Sequence, residues 1–262
     1  MDEIWKMKAV DVRDLLKRRE LSAVEVLENS ISRVEAIDND INALPERCFD
    51  RARQLAVHID KNPSTDPRSL HGLPIAVKDY NDLSGVKTTY GSPLFKDNVA
   101  QYSDRTINIL ENNRANAIAK SNVPEWAGGH TFNPVYGLTR NPWDTTKTAG
   151  GSSGGSAAAL ASGQVFLATG NDLGGSLRTP AAFTGVVGLR PSPGLVPRGV
   201  RYMPFDTLWV EGPMARSVED VAMMLDAMVG HDSNDPLSYE TTVDSFLEAA
   251  RIDHVPKSIA VS

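Results

Sequence analysis

The sequence contains very little cysteine: of its 262 residues, only Cys48 carries a thiol. One cysteine excludes an intrachain disulfide and a metal cluster held by several thiolates of the same chain. The first twenty residues, MDEIWKMKAVDVRDLLKRRE, lack the continuous apolar run that a signal peptide or a membrane-spanning segment needs. We therefore expect a cytoplasmic protein without a membrane partner.

Basic residues are also fewer than acidic ones, with 27 Lys and Arg against 33 Asp and Glu. The formal net charge is -6, and Lys17, Arg18 and Arg19 form the one notable run of basic residues, so there is no electrostatic reason to attract a phosphate backbone. We expect no nucleic-acid partner, and we predict neither a metal nor a cofactor. The remaining composition, 41% hydrophobic and 23% charged, is typical of a soluble globular chain that buries a sizeable core.

Helical spacing dominates the N-terminal part of the chain. Val10, Leu15 and Leu16 recur at helical intervals, and a second helix is predicted to begin at Ser22, with Glu25 at the spacing of a capping box. We predict that residues 1–60 form a helical layer and that residues 61–262 form the core of the domain.

Strands alternate with helices after residue 70. This part of the sequence predicts a strand in 72–79, a helix near 106–113, a strand at 117–120, a helix over 218–228 between caps at Ser217 and Gly230, and a strand at 258–262. Residues 121–147 show little periodicity, which is typical of a long ordered loop. The alternation is typical of an α/β sheet covered on both faces. Because nothing follows residues 258–262, we expect the domain to be cut there.

Residues 148–182 are rich in glycine and serine, which is typical of a flexible linker. Apolar runs at 157–160 and 165–168 contradict that interpretation, because a solvated linker has no need of them. Ser152 and Ser176 lie in similar glycine settings, each followed by residues compatible with a helix. Adjacent glycines let backbone N–H groups converge on one point, which is the geometry of an oxyanion hole.

Two other glycine-rich motifs fit this stretch less well. A phosphate-binding loop would end in Gly-Lys-Ser/Thr, which is missing here. A nucleophile elbow of the type G-x-S-x-G would follow an apolar strand and precede an Asp and a His, whereas His231 and His254 lie in polar segments. Lys78 is the best candidate to activate a serine, because burial at the end of an apolar strand can remove its charge. Its alternative role is a snorkelling lysine paired with Asp79.

Four segments together resemble the amidase signature family of serine hydrolases: GLPIAVKD, RNPWDTTKTAGGSSGGSAAALASG, GNDLGGSLRTPAAFTGVVGLRPSPG and GPMARSVED. The resemblance extends from near residue 9 to the last residue. It implies the α/β fold of that family, a mixed sheet covered by helices on both faces, truncated here because members of the family continue well beyond this length. It makes residues 61–262 the catalytic core, incomplete at its C-terminal end.

The resemblance also implies a catalytic triad. Ser176 is then the nucleophile, Ser152 the bridging serine preceded by a cis peptide bond, and Lys78 the base. The two serines are 24 residues apart, as expected in that family. Neutral Lys78 would take a proton from Ser152, and Ser152 one from Ser176, whose oxygen attacks the amide carbonyl to form an acyl-enzyme. Backbone N–H groups of the nucleophile loop would stabilise the oxyanion, those of Leu173, Gly174, Gly175 and Ser176.

Supporting residues surround this triad. Asp172 and Arg178 would brace the nucleophile loop by an ion pair, or would be two unrelated surface charges. Gly128, Gly129 and Ser153 would lie against the substrate. Three aromatic residues would line a pocket or pack in the core, namely Trp126, Phe132 and Tyr136.

The sequence departs from the resembled family at Asn171, where that family often has Ser or Thr, and we expect Asn171 not to touch the triad. We predict an amide hydrolase that converts a carboxamide or an aryl or acyl amide, with apolar or aromatic groups tolerated, to a carboxylate plus ammonia or an amine. Two alternatives stay open: a glutamine-hydrolysing subunit of an aminoacyl-tRNA amidotransferase, and a truncated, catalytically silent module for binding or assembly. The expected partner is a small-molecule amide, and a homodimer is an open option.

Overall fold

A computed structural model describes residues 3–253 and Ser258, and its strands are short. They are β1 (Glu46–Arg47), β2 (Pro74–Lys78), β3 (Asn116–Ser121), β4 (Phe132–Asn133), β5 (Gly137–Leu138), β6 (Arg140–Asn141), β7 (Asp144–Thr148), β8 (Leu167–Asp172), β9 (Val187–Gly188) and β10 (Val210–Ala215). Six of them form one mixed sheet in the order β1-β3-β2-β8-β10-β9. The other four form two separate hairpins, β4 with β5 and β6 with β7.

Lys78 and Asn171 lie on the central strands of the sheet. β2 lies between β3 and β8 and runs parallel to both, whereas β10 runs antiparallel to β8 and β9. In this register Lys78 is opposite Ser121, and Asn171 is opposite Glu211. Every residue of β2, β3, β8 and β10 is buried, which requires cover on both faces of the sheet. The predicted α/β fold with a mixed, covered sheet is confirmed.

Helices provide that cover. They are α1 (Ala9–Lys17), α2 (Ala23–Ile41), α3 (Phe49–Lys61), α4 (Arg105–Asn112), α5 (Gly154–Ala161), α6 (Arg178–Thr184), α7 (Val218–Met228) and α8 (Phe246–Arg251), with 3-10 turns at Ile4–Lys6, Pro93–Phe95 and Glu125–Ala127. α5 packs against β2, β3, β8 and β10, and α7 packs against β10 and α8. In the part of the chain that the structure describes, no helix combines the length and hydropathy needed to cross a membrane.

The N-terminal helices agree with their sequence signals. The Ser22 hydroxyl accepts a hydrogen bond from the Glu25 backbone N–H at 3.1 Å, and the Ser22 N–H donates to the Glu25 carboxylate at 2.8 Å, which completes the predicted capping box of α2. Residues 1–60 are not purely helical, because β1 pairs with β3 at the edge of the sheet. The proposed boundary at residue 60 stays a prediction.

The structure differs from the sequence predictions in residues 121–147 and after α7. The aperiodic stretch 121–147 contains the two hairpins, whose strands of two to five residues are mostly too short to show an alternating pattern. α7 ends at Met228 as predicted, but Gly230 does not cap it, because the next residue, Val229, is extended and Gly230 has a φ of 149° rather than a left-handed helical value. The predicted strand at 258–262 and His254 lie outside the described residues, Ser258 apart.

Candidate active site

Lys78 lies at the C-terminal end of β2, buried completely at the middle of the sheet. Its backbone N–H donates to the Thr169 hydroxyl on β8 at 2.8 Å, which fixes the strand end. In its ammonium form the side chain donates from Nζ to Ser152 Oγ at 2.7 Å and to Asn171 Oδ1 at 2.6 Å. Two sequence interpretations are therefore wrong: Lys78 is not a snorkelling lysine, and Asn171 does contact a member of the predicted triad.

Asp79, the alternative partner considered for Lys78, forms an ion pair with a different lysine. Asp79 accepts from Lys120 Nζ at 3.1 Å, and both side chains are fully buried. Thr89 also donates its backbone N–H to the Asp79 carboxylate at 3.2 Å. β2 ends at Lys78 and Asp79 begins the turn that follows, so the two residues contact different groups although they are neighbours in the chain.

The protonation of Lys78 is set by its surroundings. Burial lowers the pKa of Lys78 to about 7, while the carboxylates of Glu211 and Asp172 act in the opposite direction. Burial disfavours the charged ammonium because the interior solvates an ion poorly. A lysine with this pKa is about half neutral at pH 7, so it has a lone pair available to accept a proton.

Ser152 reaches Lys78 from the glycine-rich turn that precedes α5. The peptide bond between Gly151 and Ser152 is cis, and Gly150 has a φ of 78°. A Cβ at Gly151 would overlap the carbonyl oxygen of Gly129, so only glycine fits where these two loops touch. α5 then begins at Gly154, and every residue from there to Leu160 is buried. The glycine and serine stretch is a packed turn, not a linker.

Ser176 lies in the loop that follows β8, and Asp172 organises that loop. The Asp172 carboxylate accepts from the backbone N–H groups of Gly175 at 2.8 Å and Leu177 at 3.1 Å, and from Arg178 Nε at 3.0 Å. Arg190 contacts it as well, at 3.2 Å. Burial alone would raise the pKa of Asp172, but these hydrogen bonds outweigh burial and lower the pKa to about 2. The bracing ion pair of Asp172 and Arg178 is therefore present.

The two serine segments meet through the backbone. The Ser153 N–H donates to the Ser176 carbonyl oxygen at 3.3 Å. Among the described residues no hydrogen bond joins the hydroxyls of Ser152 and Ser176. Of the four N–H groups predicted to stabilise an oxyanion, that of Gly175 is bonded to Asp172 instead, so the geometry does not favour Gly175 as a donor. The N–H groups of Leu173, Gly174 and Ser176 have no partner among the described residues.

Ser176 opens onto a cavity of about 450 Å³. Residues from four segments line it, namely Trp126, Ala127, Gly129, His130, Gly151, Leu173, Gly174, Ser176, Thr179 and Trp209. None of these described lining residues is Asp, Glu, Lys or Arg. The cavity wall thus consists of glycines, apolar side chains and aromatic rings, with His130 and Thr179 as its polar side chains apart from Ser176.

One side of the cavity continues into an aromatic cluster. Trp126 stacks on Tyr90 with ring centroids 5.5 Å apart and planes nearly parallel, and Phe95 meets both rings edge-on. Tyr80 meets Trp209 edge-on at 6.2 Å. The Tyr80 hydroxyl donates to the Pro124 carbonyl oxygen and accepts the Ala127 N–H, which ties the Trp126 turn to the residues after β2. Each of the two cavity tryptophans therefore packs against at least one other aromatic ring.

The other predicted substrate residues lie in different places. Gly129 lines the cavity, whereas Gly128 and Ser153 do not, and Ser153 is buried behind the loop. Phe132 is 60% exposed, and the Tyr136 hydroxyl donates to Glu46 at 3.2 Å. Neither of these two rings lines the cavity.

Sequence reasoning missed two residues next to the site. Asn171 contacts the lysine, and Trp209 lines the cavity. A polar side chain near the end of the apolar strand β8, parallel to β2, was a usable signal for Asn171, whereas no pattern pointed to Trp209. In the described part of the chain, no three His, Cys, Asp or Glu side chains come together as a metal site would need.

Comparisons with known proteins find a family model and similar sequences. Residues 25–262 match the family model described as Amidase. The chain is 36% identical over 248 residues to a subunit of the glutamyl-tRNA(Gln) amidotransferase of Carboxydothermus hydrogenoformans, covering 94% of this chain and 51% of that protein. The chain therefore spans about half the length of the curated relatives it matches.

Two solved structures are similar in three dimensions. One is a bacterial aryl acylamidase of the amidase signature enzymes family, with a TM-score of 0.86 at 32% identity, over 93% of this chain and 51% of that one. The other belongs to a vestigial protein complex that reveals the evolutionary origins of an s-triazine catabolic enzyme. Its TM-score is 0.85 at 37% identity, over 93% and 54% of the two chains.

Proposed function

The chain belongs to the amidase signature family, and on that basis we propose that it carries the catalytic loops of an amide hydrolase that works through an acyl-enzyme. One observation carries the proposal: Nζ of the fully buried Lys78 lies 2.7 Å from Ser152 Oγ. A buried, partly neutral lysine against a serine hydroxyl has the geometry and the proton affinity of a general base.

The proposed reaction begins with proton transfer. Ser152 gives its proton to the lone pair of Lys78 and takes the proton of Ser176, whose oxygen forms a bond to the amide carbonyl carbon. The hydroxyls of Ser152 and Ser176 must hydrogen-bond at this step, and such bonds often tighten only when substrate is present. The N–H groups of Leu173, Gly174 and Ser176 are the proposed donors to the oxyanion.

The tetrahedral intermediate then collapses. The carbon–nitrogen bond breaks, and the leaving nitrogen takes the proton held by Lys78, returned through Ser152. The acyl group stays on Ser176. A water molecule next gives a proton along the same route and attacks the acyl carbon, which releases a carboxylate product and restores the Ser176 hydroxyl.

The cavity favours a neutral substrate with an apolar or aromatic body. Trp126, Trp209 and Leu173 form its wall, and no lining residue among those described carries a carboxylate, ammonium or guanidinium. Apolar pockets with a few polar groups discriminate by shape and by the burial of hydrophobic area. We therefore propose an aryl or alkyl amide as the substrate class, with ammonia or an amine as the second product.

A serine-directed probe tests the nucleophile. The purified chain is incubated with a fluorophosphonate, and the labelled residue is identified by mass spectrometry. We expect labelling of Ser176, its loss in Ser176→Ala, and a strong decrease in Ser152→Ala and Lys78→Met. Ser192→Ala, which removes an exposed serine outside the site, is the matched control and should label like the native chain. Labelling that survives Ser176→Ala would refute the proposed nucleophile.

A glutamine-hydrolysing subunit is the second candidate, because one relative is a subunit of an amidotransferase. Glutamine carries a charged ammonium and carboxylate, for which the described cavity lining offers no oppositely charged side chain. Release of ammonia from glutamine, measured with and without partner subunits and compared with the hydrolysis of an anilide, separates the two candidates. Glutaminase activity that needs partner subunits would favour the amidotransferase role.

The silent module is the third candidate, because the chain spans about half the length of its curated relatives. A folded chain that takes up no probe at Ser176 would favour it. A homodimer is an open option, which light scattering of the purified chain tests.

A further inference from the structure

Asn171 is a buried side chain whose contacts the proposed proton relay does not use. It lies in β8, is 2% exposed, and its Oδ1 lies 2.6 Å from Lys78 Nζ. Its Nδ2 is buried without a hydrogen-bond partner among the described residues. Buried amide groups that lack a partner are uncommon and call for an explanation. The side chain of Asn171 therefore contacts Lys78 through Oδ1, while its Nδ2 makes no hydrogen bond among the described residues.

The direction of this hydrogen bond has a chemical consequence. A neutral lysine amine has two N–H groups and a single lone pair, and an amide oxygen accepts hydrogen bonds but cannot donate them. The contact with Asn171 therefore engages an N–H of Lys78 and never its lone pair. Ser152 lies against the same nitrogen at 2.7 Å, and the Tyr80 ring faces it at 5.2 Å. The lone pair is left for the Ser152 hydroxyl.

We infer that Asn171 is a positioning residue for the base: its carbonyl oxygen holds an N–H of Lys78 and directs the lone pair of Nζ toward the Ser152 hydroxyl. The inference rests on the proposed role of Lys78 as the base. When Lys78 carries the proton, the same oxygen and the Tyr80 ring face remain as partners of the ammonium.

Other charged groups also act on Lys78. Glu211 on β10 is opposite Asn171, and together with Asp172 at the end of β8 it favours the charged form of Lys78. Asp79 follows Lys78 in the chain and is paired with Lys120 on β3 at 3.1 Å. These groups stay in place when position 171 is changed, so a difference between variants at this position reports on the amide contact.

Two variants of the same shape isolate the acceptor oxygen. Asn171→Thr and Asn171→Val differ by an oxygen in place of a methyl group, and both residues are suited to a strand. The rate of fluorophosphonate labelling at Ser176 is measured from pH 5 to pH 10. We expect Asn171→Thr to label within about threefold of the native chain, and Asn171→Val to label about tenfold more slowly at its plateau. The pH midpoint of the Val variant should be lower, because the ammonium loses an acceptor.

A charged variant and a distant control complete the series. Asn171→Asp places a carboxylate beside Nζ, which should raise the pH midpoint by about one unit or more. The control is Asn116→Val on β3, because Asn116 is also buried and also has an unpaired amide atom, but it donates to the Ala52 carbonyl oxygen. The control should reduce the melting temperature and leave the midpoint unchanged.

A titration of Lys78 itself makes the test independent of turnover and labelling. The chain is labelled with lysine carrying ¹³C at the Cε atom, and the resonance missing in Lys78→Met is followed against pH. If the native chain takes up no probe, the proposed function fails, while this titration still decides the role of Asn171. If the Val variant does not fold, the Thr and Asp variants are compared. Identical titrations of Lys78 in the folded variants, or equal labelling rates and midpoints, would overturn the inference.

Discussion

The rate at which Ser176 reacts with a fluorophosphonate should decrease about tenfold for each pH unit below pH 7 and stay level above about pH 8. The reason is the complete burial of Lys78, which lowers its pKa from 10.5 to about 7. The neutral fraction is then about one half at pH 7, about one tenth at pH 6 and about one hundredth at pH 5. With its ordinary pKa, the same lysine would be neutral in only about one molecule in three thousand at pH 7.

The assay measures the second-order rate constant of fluorophosphonate labelling from pH 5 to pH 10 by intact mass, with Ser176→Ala as the blank at each pH. Probe concentration is corrected for hydrolysis of the reagent. A rate that climbs tenfold per unit up to pH 10 would show that burial has not shifted the pKa of Lys78. A rate that does not vary with pH would show that Lys78 is not the base.

The same burial affects stability in a defined pH window. Between about pH 7 and pH 10.5 the unfolded chain binds a proton at Lys78 that the folded chain does not. The free energy of unfolding therefore rises with pH across this window, by about 1.4 kcal/mol per unit from this one group, and is lowest and constant below it. The difference between the native chain and Lys78→Met in urea unfolding isolates this slope, since other groups are shared. A flat difference would contradict it.

Three further predictions concern the loops and the cavity. The free energy of unfolding of Asp172→Asn, measured in urea at pH 7, should be about 1.5 to 3 kcal/mol lower than that of the native chain, since a charged acceptor of two backbone N–H groups is removed. This difference should shrink below pH 4, because the native carboxylate becomes protonated as the pH approaches its pKa of about 2. Gly155→Ala should lower the melting temperature strongly, because its Cβ would overlap the backbone of Asn122. Gly174→Ala should leave the melting temperature nearly unchanged, because its Cβ would enter open space. Equal decreases in the two variants would refute the close packing of Gly155 against Asn122. Trp126→Ala should lower kcat/KM for aryl amides about tenfold while labelling of Ser176 stays within about twofold, and an unchanged kcat/KM would exclude the ring from substrate contact.

Much of the fold follows from local patterns in the sequence. The apolar run around Lys78 predicts a buried strand, and the capping box at Ser22 predicts the start of α2, because both patterns reflect contacts between residues that are close in the chain. The short hairpins in 121–147 were not predicted, since their strands offer too few residues for a periodic signal. The bounds of α7 agree with the predicted helix over 218–228, but the predicted cap at Gly230 is wrong, because the chain leaves the helix in an extended conformation at Val229.

The candidate site divides in the same way. Local patterns are enough to place Ser152 and Ser176 in glycine turns before helices and Lys78 at the end of a buried strand. The partners of that lysine depend on packing in three dimensions: Ser152 and Asn171 are 74 and 93 residues away along the chain, yet both contact Nζ, while the adjacent Asp79 pairs with Lys120. Asp79 lies in the turn after β2 and contacts a different lysine, whereas the parallel packing of β2 with β8 places Asn171 next to Lys78. The spacing of residues along the sequence does not reveal that β2 pairs with β8, because the two strands are far apart in the chain.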